Sequence, residues 1–139
     1  MTEDNRRTAI GEEVRSGTRA LSAARALRDL GLYNDALSRL YYALFHHVTA
    51  LLLTQGIEPR RHRALPGLVT KHLVTSGVLQ SADVTLVARI SGYRDLADYE
   101  RAWEATKDDA AHAFADVESL VERATTYLEQ QGWVKQEGV

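Results

Sequence analysis

The chain has 139 residues, a length that suits one compact domain able to bury most of its apolar surface. Its formal charge is −2 and its pI about 6.2, so no global positive field draws it to nucleic acid, and any RNA contact must come from a local patch. The absence of cysteine excludes disulfides, thiolate metal sites and cysteine nucleophiles. The start, Met1 to Arg7, lacks the apolar run of a signal peptide. No later stretch reaches the roughly 18 apolar residues that span a bilayer, so a soluble cytoplasmic protein with no membrane partner is expected.

Alanine and leucine dominate, and the two prolines, Pro59 and Pro66, fall in one short region, which predicts an all-helical chain. A first helix is expected from about Thr8 to Leu30, with Ile10, Val14, Leu21, Ala24 and Leu27 as its apolar stripe and Gly31 as its stop. Gly11 and Gly17 weaken its early turns. Asn34 is the expected N-cap of a second helix, whose apolar run from Tyr41 to Leu53 suits a central position and ends at Gly56. A basic loop, Ile57 to Arg63, then leads to a short helix that holds Pro66 in its first turn and ends at Ser76-Gly77. Ser81 is expected to cap a fourth helix that runs through Val84, Val87, Ile90, Leu96 and Tyr99. Thr106 and Asp109 resemble a capping box for a fifth, with Phe114, Val117, Leu120, Val121, Ala124 and Leu128 inward. The expected organisation is a flexible 1–7, a single helical domain over 8–131 and a loose tail over 132–139, folded as an up-and-down bundle of four to five helices.

Three groups of residues carry possible chemistry. Arg39, Tyr42 and His46 fall at i, i+3 and i+7 of the second helix and share a face. A cation, a phenol and an imidazole so aligned could hold a phosphate and move a proton. The same pattern equally describes packing by Tyr41, Tyr42 and Phe45, with Arg39 and His46 at its margin. In the fourth helix Arg94 and Asp98 stand four apart with Tyr99 next to them. Either they form a weak surface ion pair, or Gly92, costly in a helix interior, marks close approach by another backbone or a ligand. The cluster Arg60, Arg61, His62 and Arg63 is the most concentrated positive charge and suits RNA phosphates, although a solvated loop would look the same. No histidine spacing forms a metal motif, and Gly-rich phosphate loops and GxSxG are absent, so no metal and no cofactor are expected.

Leu32 to Ala36, Ser38 to His46, the loop His62, Ser76-Gly77 and the run Arg94 to Tyr99 together resemble the small stand-alone HEPN proteins of bacteria and archaea. The resemblance covers about Ala20 to Leu128. It implies a helical bundle that is commonly homodimeric, in many members a metal-independent ribonuclease toxin paired with a minimal nucleotidyltransferase antitoxin. The family motif is an arginine, four to six residues and a histidine, meeting its copy across the dimer. By the resemblance, Arg94 would hold the scissile phosphate, with Asp98 beside it and Tyr99 in the histidine's position. A phenol, ordinarily ionising near pH 10, is a poor general base at neutral pH. His46 would supply the missing imidazole if it shared Arg94's cleft. Tyr99 or Tyr93 could instead accept AMP from the partner. Arg39, Tyr42 and Arg60 to Arg63 would contact RNA or nucleotide. The competing expectation is a non-catalytic module that binds a nucleotide or holds the nucleotidyltransferase.

Overall fold

The computed structural model describes residues 1–135, which fold into five α-helices with short 3-10 and π-helical stretches and no strand among them. The all-α expectation holds. The first helix, α1, spans Glu3–Asp29, and α2 spans Tyr33–Leu53. After a one-turn 3-10 helix at His62–Ala64 comes α3, an α-helical turn at Leu65–Leu68 that widens into a π-helical stretch at Val69–Val74. The long helices α4, Ser81–Tyr99, and α5, Lys107–Gln130, complete the bundle.

The apolar run of α2 puts it at the centre, in contact with α1, α3, α4 and α5. Leu37, Leu40, Leu44, Leu51 and Leu52 are wholly buried there, each contributing about 1.5–3 kcal/mol of transfer free energy. His47 shares this core. Its Nδ1–H donates to the Ala43 carbonyl at 2.7 Å, and burial lowers its pKa below the usual 6.5, so the ring stays neutral. Gly17 of α1 makes room for it: a Cβ at Gly17 would lie 2.5 Å from His47 Nδ1. The glycine that weakens α1 as an isolated helix therefore lets α1 close on α2.

Several boundaries differ from the sequence expectation. Helix α1 begins at Glu3 rather than near Thr8, because the Thr2 hydroxyl accepts the Asn5 N–H at 3.1 Å and acidic Glu3 and Asp4 suit the first turn. Asn34 lies inside α2 instead of capping it. Its side chain donates to the Trp103 carbonyl at 2.9 Å and accepts the Ala105 N–H at 2.8 Å, tying down the α4–α5 connection. Gln80, not Ser81, caps α4 in a reciprocal box with Asp83, whereas the Thr106–Asp109 box forms as read. Gly31, Gly56, Gly77 and Gly132 follow helices with positive φ, the conformation that a C-terminal glycine supplies. After Gly132, Trp133 and Val134 fold back on the core, and Arg7 reaches both the Trp133 ring and the Gly132 carbonyl. Residues 136–139 of the expected loose tail lie outside the described residues.

Candidate active cleft

Helix α4 changes character along its length. Its first half buries Asp83, Leu86, Val87 and Ile90, but no residue from Ser91 to Tyr99 is fully buried. The second half instead forms one wall of an open cleft of about 1020 Å3, faced by the loop residues Arg61, His62 and Arg63. Arg94, Asp95 and Tyr99 line the α4 side.

Arg94 is the least exposed charge in this wall, with 16% of its side chain accessible. Its guanidinium carbon lies 5.1 Å from the Tyr41 ring centroid and 5.9 Å from that of Tyr42, within the range of cation–π attraction. Carboxylates hold it only loosely: Asp95 is 3.5 Å away, Asp98 is 3.8 Å away, and Nε is buried without a hydrogen-bond partner. Burial opposes its charge, but Tyr42, Tyr41 and Asp95 outweigh that and raise its pKa, so Arg94 stays a cation. Asp98 accepts from the Ser38 hydroxyl at 3.2 Å, which draws it toward α2.

His62 completes the arrangement. Its ring stacks on Phe45 with centroids 4.3 Å apart and planes 10° apart, and its Nδ1 shares a 2.8 Å hydrogen bond with the Tyr41 hydroxyl. Burial, then Arg94 and His46, depresses the His62 pKa below 6.5, leaving a neutral imidazole at physiological pH. Burial also pushes the Tyr41 phenol up to about 12, against the pull of Arg94. Tyr41 is 1% exposed, and it touches both cleft groups, Arg94 by its ring face and His62 by its hydroxyl. The Tyr-Tyr-Ala-Leu-Phe segment of α2 is thus both core and the shelf under the cleft.

The sequence-derived candidates divide between two places. Arg94, Tyr99, Arg61, His62 and Arg63 line the cleft, and Asp98 backs Arg94. Arg39, Tyr42 and His46 line a second concavity, between α1 and α2, with Ser16, Arg19, Ala20 and Ala23. His46 does not enter the Arg94 cleft: its Nδ1 hydrogen-bonds Glu13 of α1 at 2.6 Å. Arg60 is exposed and lies outside both linings. Tyr99 is 72% exposed, since α4 has passed the end of its buried stripe. A Cβ at Gly92 would meet nothing within 4 Å, so no neighbour among the described residues explains that glycine. The role of Tyr41 was missed, since it couples residues 21 apart across a loop and no helical spacing signals that. Among the described residues, no group of three or more His, Asp or Glu side chains could hold a metal ion, and no helix is long and apolar enough to cross a membrane.

The HEPN domain family matches residues 12–127, an interval that includes the whole shelf, the loop and both halves of α4. The chain belongs to this family. Two relatives come from Methanocaldococcus jannaschii, and each bears the name "Putative toxin". One is 31% identical over 110 residues, covering 79% of this chain and 81% of the relative. The other is 27% identical over 124 residues, covering 89% and 84%. A UPF0332 protein of Archaeoglobus fulgidus is 30% identical over 111 residues, 80% of this chain and 88% of its own. The HEPN reading made from Arg94, the Tyr-Tyr-Ala segment and His62 is therefore the family of the chain.

Proposed function

We propose that this HEPN protein is a toxin-type ribonuclease that cleaves single-stranded RNA without a metal ion, using Arg94 and His62. The observation that carries the reading is the Arg94–Tyr41–His62 arrangement: a cation held by aromatic faces and a neutral imidazole held by the same buried phenol, side by side in one basic cleft. An arginine loosely engaged by its carboxylates keeps N–H donors for a phosphate, and phosphate binding would relieve part of the cost of its unsatisfied burial. With Nδ1 tied to Tyr41, His62 has Nε2 left for the substrate.

The reaction that suits these groups is internal transesterification. His62 Nε2 takes the proton of a ribose 2′-hydroxyl, and the 2′-oxygen attacks the adjacent phosphorus. Arg94 stabilises the added negative charge, and the 5′-oxygen leaves with a proton from a hydrogen-bond donor such as the Tyr99 hydroxyl. The products are a 2′,3′-cyclic phosphate and a 5′-hydroxyl. For Nε2 to take that proton, Nδ1 carries the ring hydrogen and donates it to the Tyr41 oxygen, a bond that keeps the ring in place before and after Nε2 is protonated.

The family and the names of the two archaeal relatives favour a toxin role, with a minimal nucleotidyltransferase as its antitoxin and two copies of the chain meeting near the cleft. Bare Gly92 and exposed Tyr99 on one half of α4 suit that contact. Light scattering on the purified protein tests the dimer, and incubation with RNA in EDTA tests the chemistry, with cyclic-phosphate ends as the expected product. A second reading rests on Tyr99: its phenol is 72% exposed at the cleft and could be what a partner nucleotidyltransferase modifies, in a protein that binds RNA without cutting it. Intact-mass measurement and the absence of cleavage by unmodified protein would favour it.

A further inference from the structure

Arginines are not distributed evenly by role in this molecule. Arg25 and Arg28 pair with Glu118, Arg89 with Asp116, and Arg123 with Asp83. Those pairs lie between α1, α4 and α5. On the α1–α2 side, Arg19 and Arg39 form no ion pair or hydrogen bond with any described residue. Arg39 even has Asp35 four residues earlier on the same helix, yet its guanidinium carbon sits 5.6 Å from the Tyr42 ring centroid instead. Tyr42 is also the ring that Arg94 approaches at 5.9 Å. One aromatic ring therefore stands between the cation of the cleft and the cations of the second concavity.

That concavity has a volume of about 410 Å3 and is lined by Ser16, Arg19, Ala20, Ala23, Arg39, Tyr42 and His46. The small residues of α1 leave room, and two arginines supply charge that no carboxylate neutralises. Among the described residues, the acid that engages its lining is Glu13, which is held by His46 Nδ1. In a chain of net charge −2, two uncompensated arginines beside a hollow, next to a cleft read as a phosphate site, are a local anion site rather than part of a global basic field.

We infer that the α1–α2 concavity is a second phosphate subsite, in which Arg19 and Arg39 hold a neighbouring phosphodiester of the same single-stranded RNA whose scissile phosphate lies at Arg94. Tyr42 forms the step between the two subsites. The inference rests on the reading of the cleft as an RNA site and extends it from one phosphate to a track. Specific base contacts are not required for it, since the backbone alone supplies the charge.

The test is equilibrium binding, by fluorescence anisotropy, of a labelled all-2′-deoxy octanucleotide, which cannot undergo transesterification, across a range of salt concentrations. Arg19→Ala/Arg39→Ala is compared with wild type and with Arg25→Ala, an arginine already paired on another face. The double variant is expected to bind the octamer about tenfold more weakly at low salt. Its log–log salt slope should be shallower by about 0.7, the value for one lost phosphate contact on a single strand. Arg25→Ala should match wild type, and Arg19→Lys/Arg39→Lys should recover most of the slope. Both substituted side chains are exposed, and equal melting temperatures will confirm that the fold is intact. Octamer affinity and salt slope unchanged in the double variant would overturn the inference while leaving the Arg94 site standing. If wild type neither binds the octamer nor cleaves RNA, the reading of the cleft itself fails, and the inference with it.

Discussion

The two ends of α4 treat an arginine in opposite ways. At its start, Asp83, only 4% exposed, accepts two hydrogen bonds from Arg123 of α5 at 2.8 and 3.1 Å and a third from the Gln80 N–H at 2.9 Å. At its end, Arg94 has two carboxylates nearby and forms a close hydrogen bond with neither. The first arginine is consumed by the fold, since every oxygen it faces is matched. The second is restrained by Tyr41 and Tyr42 without being neutralised, which is the condition an anion site needs. The difference teaches that charge in this bundle is structural where geometry is saturated and available where rings replace carboxylates.

The sharpest way to break the comparison is to remove each arginine's function in turn. Arg94→Ala should lower RNA cleavage by about 10^3, the loss typical of a transition-state donor, with a melting temperature within a few degrees of wild type. A large loss of stability instead would make Arg94 structural, like Arg123. His62→Ala should lower cleavage by about 10^2, as for a general base. Because burial and Arg94 lower the His62 pKa, the acid limb of the wild-type pH–rate profile should lie below pH 6.5; a limb above that value would point to another group.

At the other end, Asp83→Asn should destabilise the fold by about 2 kcal/mol in chemical denaturation. A buried carboxylate's bonds are strong, but the half-exposed Arg123 screens part of the pair. Burial raises the Asp83 pKa, yet the hydrogen bonds from Arg123 and Gln80 more than reverse this and hold it below the usual 3.8. Its contribution is therefore complete above about pH 4. It is lost as pH falls through the lower, folded-state pKa, and Asp83→Asn should remove that part of the acid sensitivity. Gly17→Ala should cost about 2 kcal/mol, because the new Cβ overlaps the neutral His47 ring. Tyr41→Phe should give the smallest effect, about tenfold in kcat with KM little changed, as expected for a residue that positions His62 without touching substrate.

Much of this architecture is legible in the chain itself. The helical class, the centrality of α2, the Thr106–Asp109 box and the terminating glycines follow from composition, apolar run and local backbone chemistry. Arg94 stands out by spacing, and the cluster around His62 by charge. Contacts between distant segments are different. Asn34 has the side chain of a helix cap and is used as a latch for residues 103–105, a choice set by tertiary packing. His46 lies on the face that its spacing with Arg39 implies, yet that face turns to Glu13 of α1, while a loop delivers His62 to Arg94's cleft. Helical periodicity orders residues along one element and says nothing about which loop closes over it.

The most direct test of the Arg94–His62 site is cleavage of a single-stranded RNA in EDTA by four proteins prepared identically: wild type, Arg94→Ala, His62→Ala and His112→Ala, the last an exposed α5 histidine outside the cleft. The account predicts 2′,3′-cyclic phosphate products from wild type and His112→Ala, and none above background from the other two over the same interval. Undiminished cleavage by either Arg94→Ala or His62→Ala, or no cleavage by wild type whose intact mass shows it unmodified, would contradict it.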